Sequence, residues 1–191
     1  MYRVLVTGSN RGLGQALSKK FVDNGHFVYC HNGRKHFDLS KPEEVKQLSE
    51  EAKRLNINVL INNAAIVCPS ITLDQYENDL IDAMINVNLR APIILTKNLL
   101  DNLERVVNIN SMVGLEIKTP RTLYSATKWG LRGFSNSLKK ESDMIVLDVY
   151  ATNIKTDPSR INAMDIDMVV DSIYDAFVKE KEELILDGRK Q

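Results

Sequence analysis

Long apolar runs, net charge and cysteine are all scarce in this chain of 191 residues, and tryptophan occurs once, at Trp129. No stretch approaches the roughly 18 consecutive apolar residues of a membrane-spanning helix. The opening Met1-Tyr2-Arg3-Val4-Leu5-Val6-Thr7-Gly8 runs straight into a strand pattern, so neither a signal peptide nor a membrane anchor is expected. Lys+Arg and Asp+Glu both number 25, which leaves zero formal charge and argues against non-specific binding to nucleic acid or an anionic membrane. The two cysteines, Cys30 and Cys68, are far apart in apolar surroundings. They read as reduced core thiols of a cytoplasmic protein, not as a disulfide framework or a metal site. His26, His31 and His36 lack metal-ligand spacing and carry no expected catalysis. What remains is a chain 43% apolar and 26% charged, enough for one packed domain over residues 1–191.

Short β-branched runs alternate with longer helical patterns. Strands are expected at Tyr2–Thr7, Phe27–His31, Val59–Asn62, Arg105–Asn110, Ile145–Tyr150 and Leu184–Leu186. Helices are expected at Leu13–Asn24, Pro42–Leu55, Leu80–Leu103, Leu123–Glu141 and Asp167–Lys179. Several strands are nearly continuous apolar runs, as when helices cover both faces of a parallel sheet. The alternation implies βαβ crossovers and one doubly wound parallel α/β domain. Ser40-Lys41-Pro42-Glu43 has the pattern of a capping box. Only Asn32-Gly33-Arg34-Lys35 separates the second strand from His36-Phe37-Asp38-Leu39, too little for an ordinary parallel crossover. Either Phe37 is outside a normally paired third strand, or a helix is missing there and the sheet edge is irregular.

Thr7-Gly8-Ser9-Asn10-Arg11-Gly12-Leu13-Gly14 follows the first strand and opens the first helix. Glycines there permit a tight turn and let phosphate approach backbone N–H groups at a helix N-terminus. That favours a dinucleotide, although the Gly-x-x-x-Gly-x-Gly spacing differs from the general fingerprint and a purely structural turn is the alternative. The second strand ends in His31-Asn32-Gly33-Arg34, with no carboxylate for a ribose 2′-hydroxyl. Arg11 and Arg34 suit a 2′-phosphate instead, which favours NADP(H) over NAD(H). Asp38 is a candidate acceptor for the adenine amino group.

Tyr124 and Lys128 lie four apart at the start of a helix, so phenol and ammonium share a face. A cation beside a phenol lowers its pKa and fits it for exchanging a proton with an alcohol or carbonyl oxygen. Ser111 stands at the end of the strand Val106-Val107-Asn108-Ile109-Asn110, where parallel sheets bind ligands. Pro92 lacks the N–H that would bond the Asn88 carbonyl, and a water linking that carbonyl towards Lys128 is expected.

Taken together, Thr7-Gly8-x3-Gly12-x-Gly14, Asn62-Asn63-Ala64-Ala65, Val87-Asn88-Leu89, Ser111 and Tyr124-x3-Lys128 resemble the short-chain dehydrogenase/reductase superfamily in its single-domain branch, over roughly residues 2–156. The resemblance implies a Rossmann fold. It also implies Tyr124 as general acid/base, Lys128 on the nicotinamide ribose and lowering the phenol pKa, Ser111 on the substrate oxygen and Asn88 holding a proton-relay water. Gly8, Asn10, Arg11, Gly12, Leu13, Gly14, Asn32, Arg34, Asp38, Leu39, Asn62 and Ala64 would form the cofactor site with Tyr124 and Lys128. Ile154 and Thr156 would meet the nicotinamide carboxamide. No metal is expected.

Three positions depart from the family pattern: Ala65 stands for a frequent glycine, Ala151-Thr152 for a usual Pro-Gly, and only Asp157–Met164 separates Thr156 from the last helix. The substrate wall is correspondingly weakly encoded. Lys118, Arg121 and Arg160 are candidate anion contacts, with solvated charge the blander reading, and Met112, Val113 and Met164 are candidate apolar wall. The expected activity is hydride transfer between a nicotinamide cofactor and a small carbonyl or secondary alcohol. The alternative is a non-catalytic dinucleotide-binding or regulatory protein of the same fold, with a nucleotide-sugar epimerase a weaker third. Relatives pair the helices equivalent to Leu80–Leu103 and Leu123–Glu141, so a homodimer is expected.

Overall fold

The computed structural model describes residues 1–67, 70–156 and 162–190. Six parallel strands, β1 (Arg3–Thr7), β2 (Phe27–His31), β3 (Val59–Asn62), β4 (Arg105–Ile109), β5 (Ile145–Ala151) and β6 (Glu183–Leu186), form one sheet in the order β2-β1-β3-β4-β5-β6. The chain steps outward from β1 to β2 and then returns to β3 on the other side of β1. The crevice at that reversal, outside the strand carboxyl ends, is where open α/β sheets bind ligands.

Both faces of the sheet are covered. Helices α1 (Gly12–Asp23) and α6 (Ile166–Val178) bury Leu17, Phe21, Val169 and Ile173 against Val4, Val6, Val107 and Val149. On the other face α2 (Pro42–Arg54), α4 (Ala91–Leu99) and α5 (Thr122–Glu141) meet Leu5, Leu60, Val106 and Val146 through Leu48, Leu95 and Leu138. This explains why β3 is apolar and buried at Val59, Leu60 and Ile61 alike: it has no solvent face. The doubly wound α/β reading of the sequence is the fold observed, and the helix and strand ends agree with the expected ones to within a residue or two except in three places.

The first is the stretch after β2. Residues 33–37 make one tight turn, with the N–H groups of His36 and Phe37 on the Gly33 carbonyl, and Phe37 belongs to no strand. The crossover is too short for a helix and a further strand, so β2 is the sheet edge. The second is the capping box, which does not form. Lys41, not Ser40, precedes α2 and makes no side-chain cap. Asp38 Oδ1 instead accepts from the Ser40 N–H and hydroxyl (3.0 and 2.7 Å), and Glu44 accepts from the Asp38 N–H. Asp38 thereby holds both groups of Ser40 that the box would use, the hydroxyl and the N–H meant for Glu43, through charge-assisted bonds. The third is the expected Leu80–Leu103 helix. It is divided into α3 (Asn78–Ile85), a π-helical turn Asn86–Arg90 and α4. Pro92 cannot donate to the Asn88 carbonyl, and the Ala91 N–H reaches back five residues to the Asn86 carbonyl, so the ladder widens there.

Leu131, Phe134 and Leu138 pack inward on α5 and do not form an outer face. Cys30 is half-buried and free; Cys68 lies outside the described residues. Among the described residues no helix is long and apolar enough to cross a membrane, and no cluster of His, Cys, Asp or Glu is arranged to hold a metal ion.

Candidate active site

A cleft of about 1160 Å³ runs along the strand carboxyl ends. Its floor is the turn after β1. Gly8 sits at φ +67°, a backbone region that side chains disfavour. A Cβ on Gly14 would lie 2.3 Å from the Gly8 carbonyl oxygen and 2.4 Å from Asn63 Nδ2. Gly14 thus lets the first turn of α1 pack directly on the Gly8 carbonyl and Asn63, the close contact that a dinucleotide-binding turn needs, so the residues present fit a dinucleotide.

Three side chains fix the cradle. Asn63 Nδ2 donates to the carbonyls of Thr7 and Gly8 (2.8 and 3.1 Å). The Thr7 hydroxyl accepts from the N–H groups of Asn63 and Ala64 (3.0 Å each) and donates to the Ile61 carbonyl (3.3 Å). His31, 1% exposed, accepts the Gly8 N–H on Nδ1 (3.2 Å) and donates from Nε2 to the Phe37 carbonyl (2.7 Å). It is therefore neutral, and burial lowers its pKa further. Sequence reasoning missed Asn63 and His31 as cradle supports. Asn63 was legible as the second asparagine of Asn62-Asn63-Ala64-Ala65, whereas His31 shows its role only once Phe37 turns back over it.

Of the expected cofactor residues, Gly8, Asn10, Arg11, Gly12, Leu13, Gly14, Arg34, Asp38, Leu39, Ala64, Ile154 and Thr156 line the cleft. Asn32 and Asn62 do not. The Asn32 side chain accepts weakly from the Ser9 hydroxyl (3.4 Å), and Asn62 is buried beneath the site, donating to Asn108 Oδ1 (2.9 Å). Burial acts to raise the Asp38 carboxyl pKa, but the Ser40 hydrogen bonds, with Arg34 and Lys41 nearby, hold it below the ordinary value. Ile154 bridges to Met164, and Thr156 packs on Gly12.

At the other end, β4 delivers Ser111 and α5 delivers Tyr124 and Lys128, all three lining the cleft. Ser111 Oγ accepts from the Val113 N–H (3.3 Å), opening the 3₁₀ turn Met112–Gly114. Asn110 ties the two elements together: its Oδ1 accepts the Ser111 N–H (2.9 Å) and its Nδ2 donates to the Lys128 carbonyl (3.3 Å). Lys128 is 2% exposed, and its ammonium donates to the Ile109 carbonyl (2.9 Å) and lies 5.7 Å from the Tyr124 ring centroid. Burial pushes its pKa down to about 8.

The phenol differs from expectation. Burial raises the Tyr124 pKa, and the opposing influences are a hydrogen bond with Ser111 and the charge of Arg121, not Lys128. The Lys128 ammonium lies over the ring and bonds to a main-chain carbonyl. Asn88 also differs, since its side chain does not face the cleft. Its amide closes on Ile66, accepting the N–H (2.7 Å) and donating to the carbonyl (2.9 Å), and so pins the loop after β3 to the π-helical turn.

The substrate side is lined by Met112, Val113, Glu116, Lys118, Arg121 and Arg189. Arg189 and Glu116, 73 residues apart, form a two-pronged ion pair (2.6 and 3.3 Å) that no local pattern announces. Met164 is core, not wall. Arg160 and the residues 157–161 of the shortened connection lie outside the described residues.

A family model described as short chain dehydrogenase matches residues 34–160. The chain belongs to that family. This short-chain dehydrogenase is 32% identical over 163 residues to nodulation protein G of Rhizobium sp. (strain N33), covering 73% of the chain and 66% of the relative. It is 30% identical over 193 residues to 3-oxoacyl-[acyl-carrier-protein] reductase FabG of Aquifex aeolicus (strain VF5), covering 85% and 77%. Across such curated relatives the short-chain dehydrogenase spans between about half and about three quarters of their length. In fold it superposes on a short-chain dehydrogenase from Sphingobium yanoikuyae in complex with NADPH, with TM-score 0.85, 21% identity and coverage of 97% and 87%.

Proposed function

We propose that the chain is an oxidoreductase that transfers a hydride between a nicotinamide cofactor, NADP(H) in preference to NAD(H), and a carbonyl compound or secondary alcohol. The observation that carries the reading is that Ser111, Tyr124 and Lys128 converge on the cleft whose floor is the glycine cradle. The family membership supports it, as does the NADPH held by the Sphingobium neighbour.

In the reducing direction the substrate carbon gains the hydride that reduced nicotinamide supplies, and the protein manages everything else. Ser111 donates a hydrogen bond to the substrate oxygen. Tyr124 gives that oxygen a proton as negative charge develops on it, and the reverse reaction returns the proton to the phenolate. The protonated phenol is the form that donates. Lys128, held on the Ile109 carbonyl, has further donors for the nicotinamide ribose. The Asn88 carbonyl, deprived of its donor by Pro92, holds the water that links Lys128 to solvent. Arg11 and Arg34 grip a 2′-phosphate, and Asp38 and Leu39 bound the adenine. Trp129, 43% exposed with Arg132 stacked on it at 5.4 Å, and Ile85, 40% exposed, mark the face through which a homodimer would form.

The rival is a dinucleotide-binding regulator without turnover. NADPH and NADH oxidation against a panel of aldehydes, ketones and quinones separates the two, with a Tyr124→Phe variant alongside. Phenylalanine should leave nucleotide affinity nearly intact and cut turnover by about 100-fold or more, the scale of a general acid/base. NADPH should outperform NADH. Nucleotide binding with no turnover on any carbonyl would favour the regulator.

A further inference from the structure

The chain has no net charge, yet both ends of its cleft are basic. At the adenine end, Arg11 and Arg34 are accounted for by cofactor phosphate. At the phenol end, Lys118 and Arg121 line the cleft, and the proposed chemistry gives them nothing to do.

Arg121 is the better placed. It is half-buried at the start of α5, one turn ahead of Tyr124, and residues three apart on a helix are neighbours on its surface. Its charge is felt at the Tyr124 hydroxyl. The acidic side chain on the same wall is Glu116, and both its oxygens are taken by Arg189, which also holds Asp187 from Nε and Nη2 (2.7 and 2.9 Å). Arg189 thereby keeps Glu116 and Asp187 occupied, and no described carboxylate forms an ion pair with Arg121 or Lys118. An arginine lining a ligand cleft, with its natural acidic neighbour held elsewhere, presents its fork of donors to whatever enters.

We propose that the substrate is an anionic carbonyl compound, a short keto or aldehyde acid, whose carboxylate is bound by Arg121 with Lys118 contributing long-range attraction. The proposal rests on the oxidoreductase reading for the identity of the reacting group but not for the anion contact. A guanidinium makes two parallel hydrogen bonds to carboxylate and to phosphate alike, but its single charge balances a carboxylate in full and a phosphate monoester, at about −1.5 to −2, only in part, which favours carboxylate. The same basic wall disfavours amines.

Matched pairs test it: 4-oxopentanoate against its methyl ester, 3-oxobutanoate against its ethyl ester, and dihydroxyacetone phosphate against dihydroxyacetone, each with NADPH. The intact protein should prefer each keto acid to its ester by about tenfold or more in kcat/KM, the scale of a charge-assisted hydrogen bond. Arg121→Gln should bring the acid-to-ester ratio close to one, Lys118→Gln should lower it only a few-fold, and Arg121→Lys should restore part of it. Added salt should erode the Lys118 effect more than the Arg121 effect. Calorimetry of 4-oxopentanoate and its methyl ester on protein loaded with oxidised NADP answers the binding question whether or not turnover occurs. Tighter binding of the acid, lost in Arg121→Gln, upholds the anion site even if every carbonyl is inert and the oxidoreductase reading fails. Equal binding of acid and ester, or an unchanged ratio in Arg121→Gln, overturns the proposal. A larger preference for the phosphate ester overturns the choice of carboxylate.

Discussion

The two ends of the cleft are held together by opposite means. The cradle after β1 is fixed by neutral hydrogen bonds from Asn63, Thr7 and a deprotonated His31, all converging on main-chain atoms. The phenol end is built around Lys128, a cation buried to 2% exposure with one main-chain carbonyl as its bonded partner. The cradle therefore gains stability from its polar groups, whereas the chemical end surrenders stability to keep an ammonium where water is excluded. Binding geometry can be assembled from well-matched neutral groups, but a proton-handling site requires a charge in a dry place, and that charge costs folding free energy.

The largest effect should come from blocking the cradle. Gly14→Ala places a methyl on the Gly8 carbonyl, and the turn must open. Small-to-large changes at such sites cost about 1–3 kcal/mol, so a fall of that size in denaturant unfolding is expected, with at least a tenfold loss of nucleotide affinity. Unaltered nucleotide binding would mean the cradle is more pliant than its hydrogen bonds imply.

Acid is the next lever, and of the two ends of the cleft it acts on the cradle. His31 is neutral when folded and its pKa is depressed, so the unfolded chain takes up the proton first as pH falls below about 6.5. Stability should decline below that pH, because a protonated Nδ1 would face the Gly8 N–H with a second donor. Denaturant unfolding followed from pH 7.5 to 5.5 should show stability falling in the intact protein and a flatter profile in His31→Asn, measured relative to each protein's value at pH 7.5. Parallel profiles would detach His31 from the cradle.

The smallest shift is the most telling, because its sign differs at the other end. The Lys128 pKa falls from an ordinary 10.5 to about 8 in the folded chain, so its penalty is full below about pH 8 and fades as pH rises towards 10.5. That displacement corresponds to about 3 kcal/mol, offset in a Lys128→Met variant by about 1–3 kcal/mol for the carbonyl left unbonded at Ile109. Lys128→Met should thus be more stable at pH 7 by about 1 kcal/mol, lose that advantage towards pH 10, and turn over poorly. A variant clearly less stable at neutral pH would show that the ammonium is satisfied, not strained.

Much of this site could be read in the chain before folding. Glycine spacing, the Tyr124–Lys128 interval and the hydroxyl closing β4 are local, so each can be read without knowing how the chain packs. The misreadings came from competition between partners that spacing does not rank. Ser40 matched a capping box, but Asp38 takes both its N–H and its hydroxyl. Asn62 sat in the right segment, yet its side chain bonds Asn108 and holds the site from behind. Lys128 was expected to lower the phenol pKa, but burial raises it against the Ser111 hydrogen bond and the charge of Arg121.

Sequence alone determined the alternation of elements, the turn that cradles a dinucleotide and the helix face shared by Tyr124 and Lys128, because these depend on periodicity and on residues within a few positions of one another. Tertiary structure decided which polar groups are buried and whom they meet: His31 under Phe37, Asn63 against Gly8, Arg189 across 73 residues to Glu116. Such pairings depend on distances fixed only when strands and crossovers pack, and the dielectric around each charge, which sets its proton affinity, exists only then.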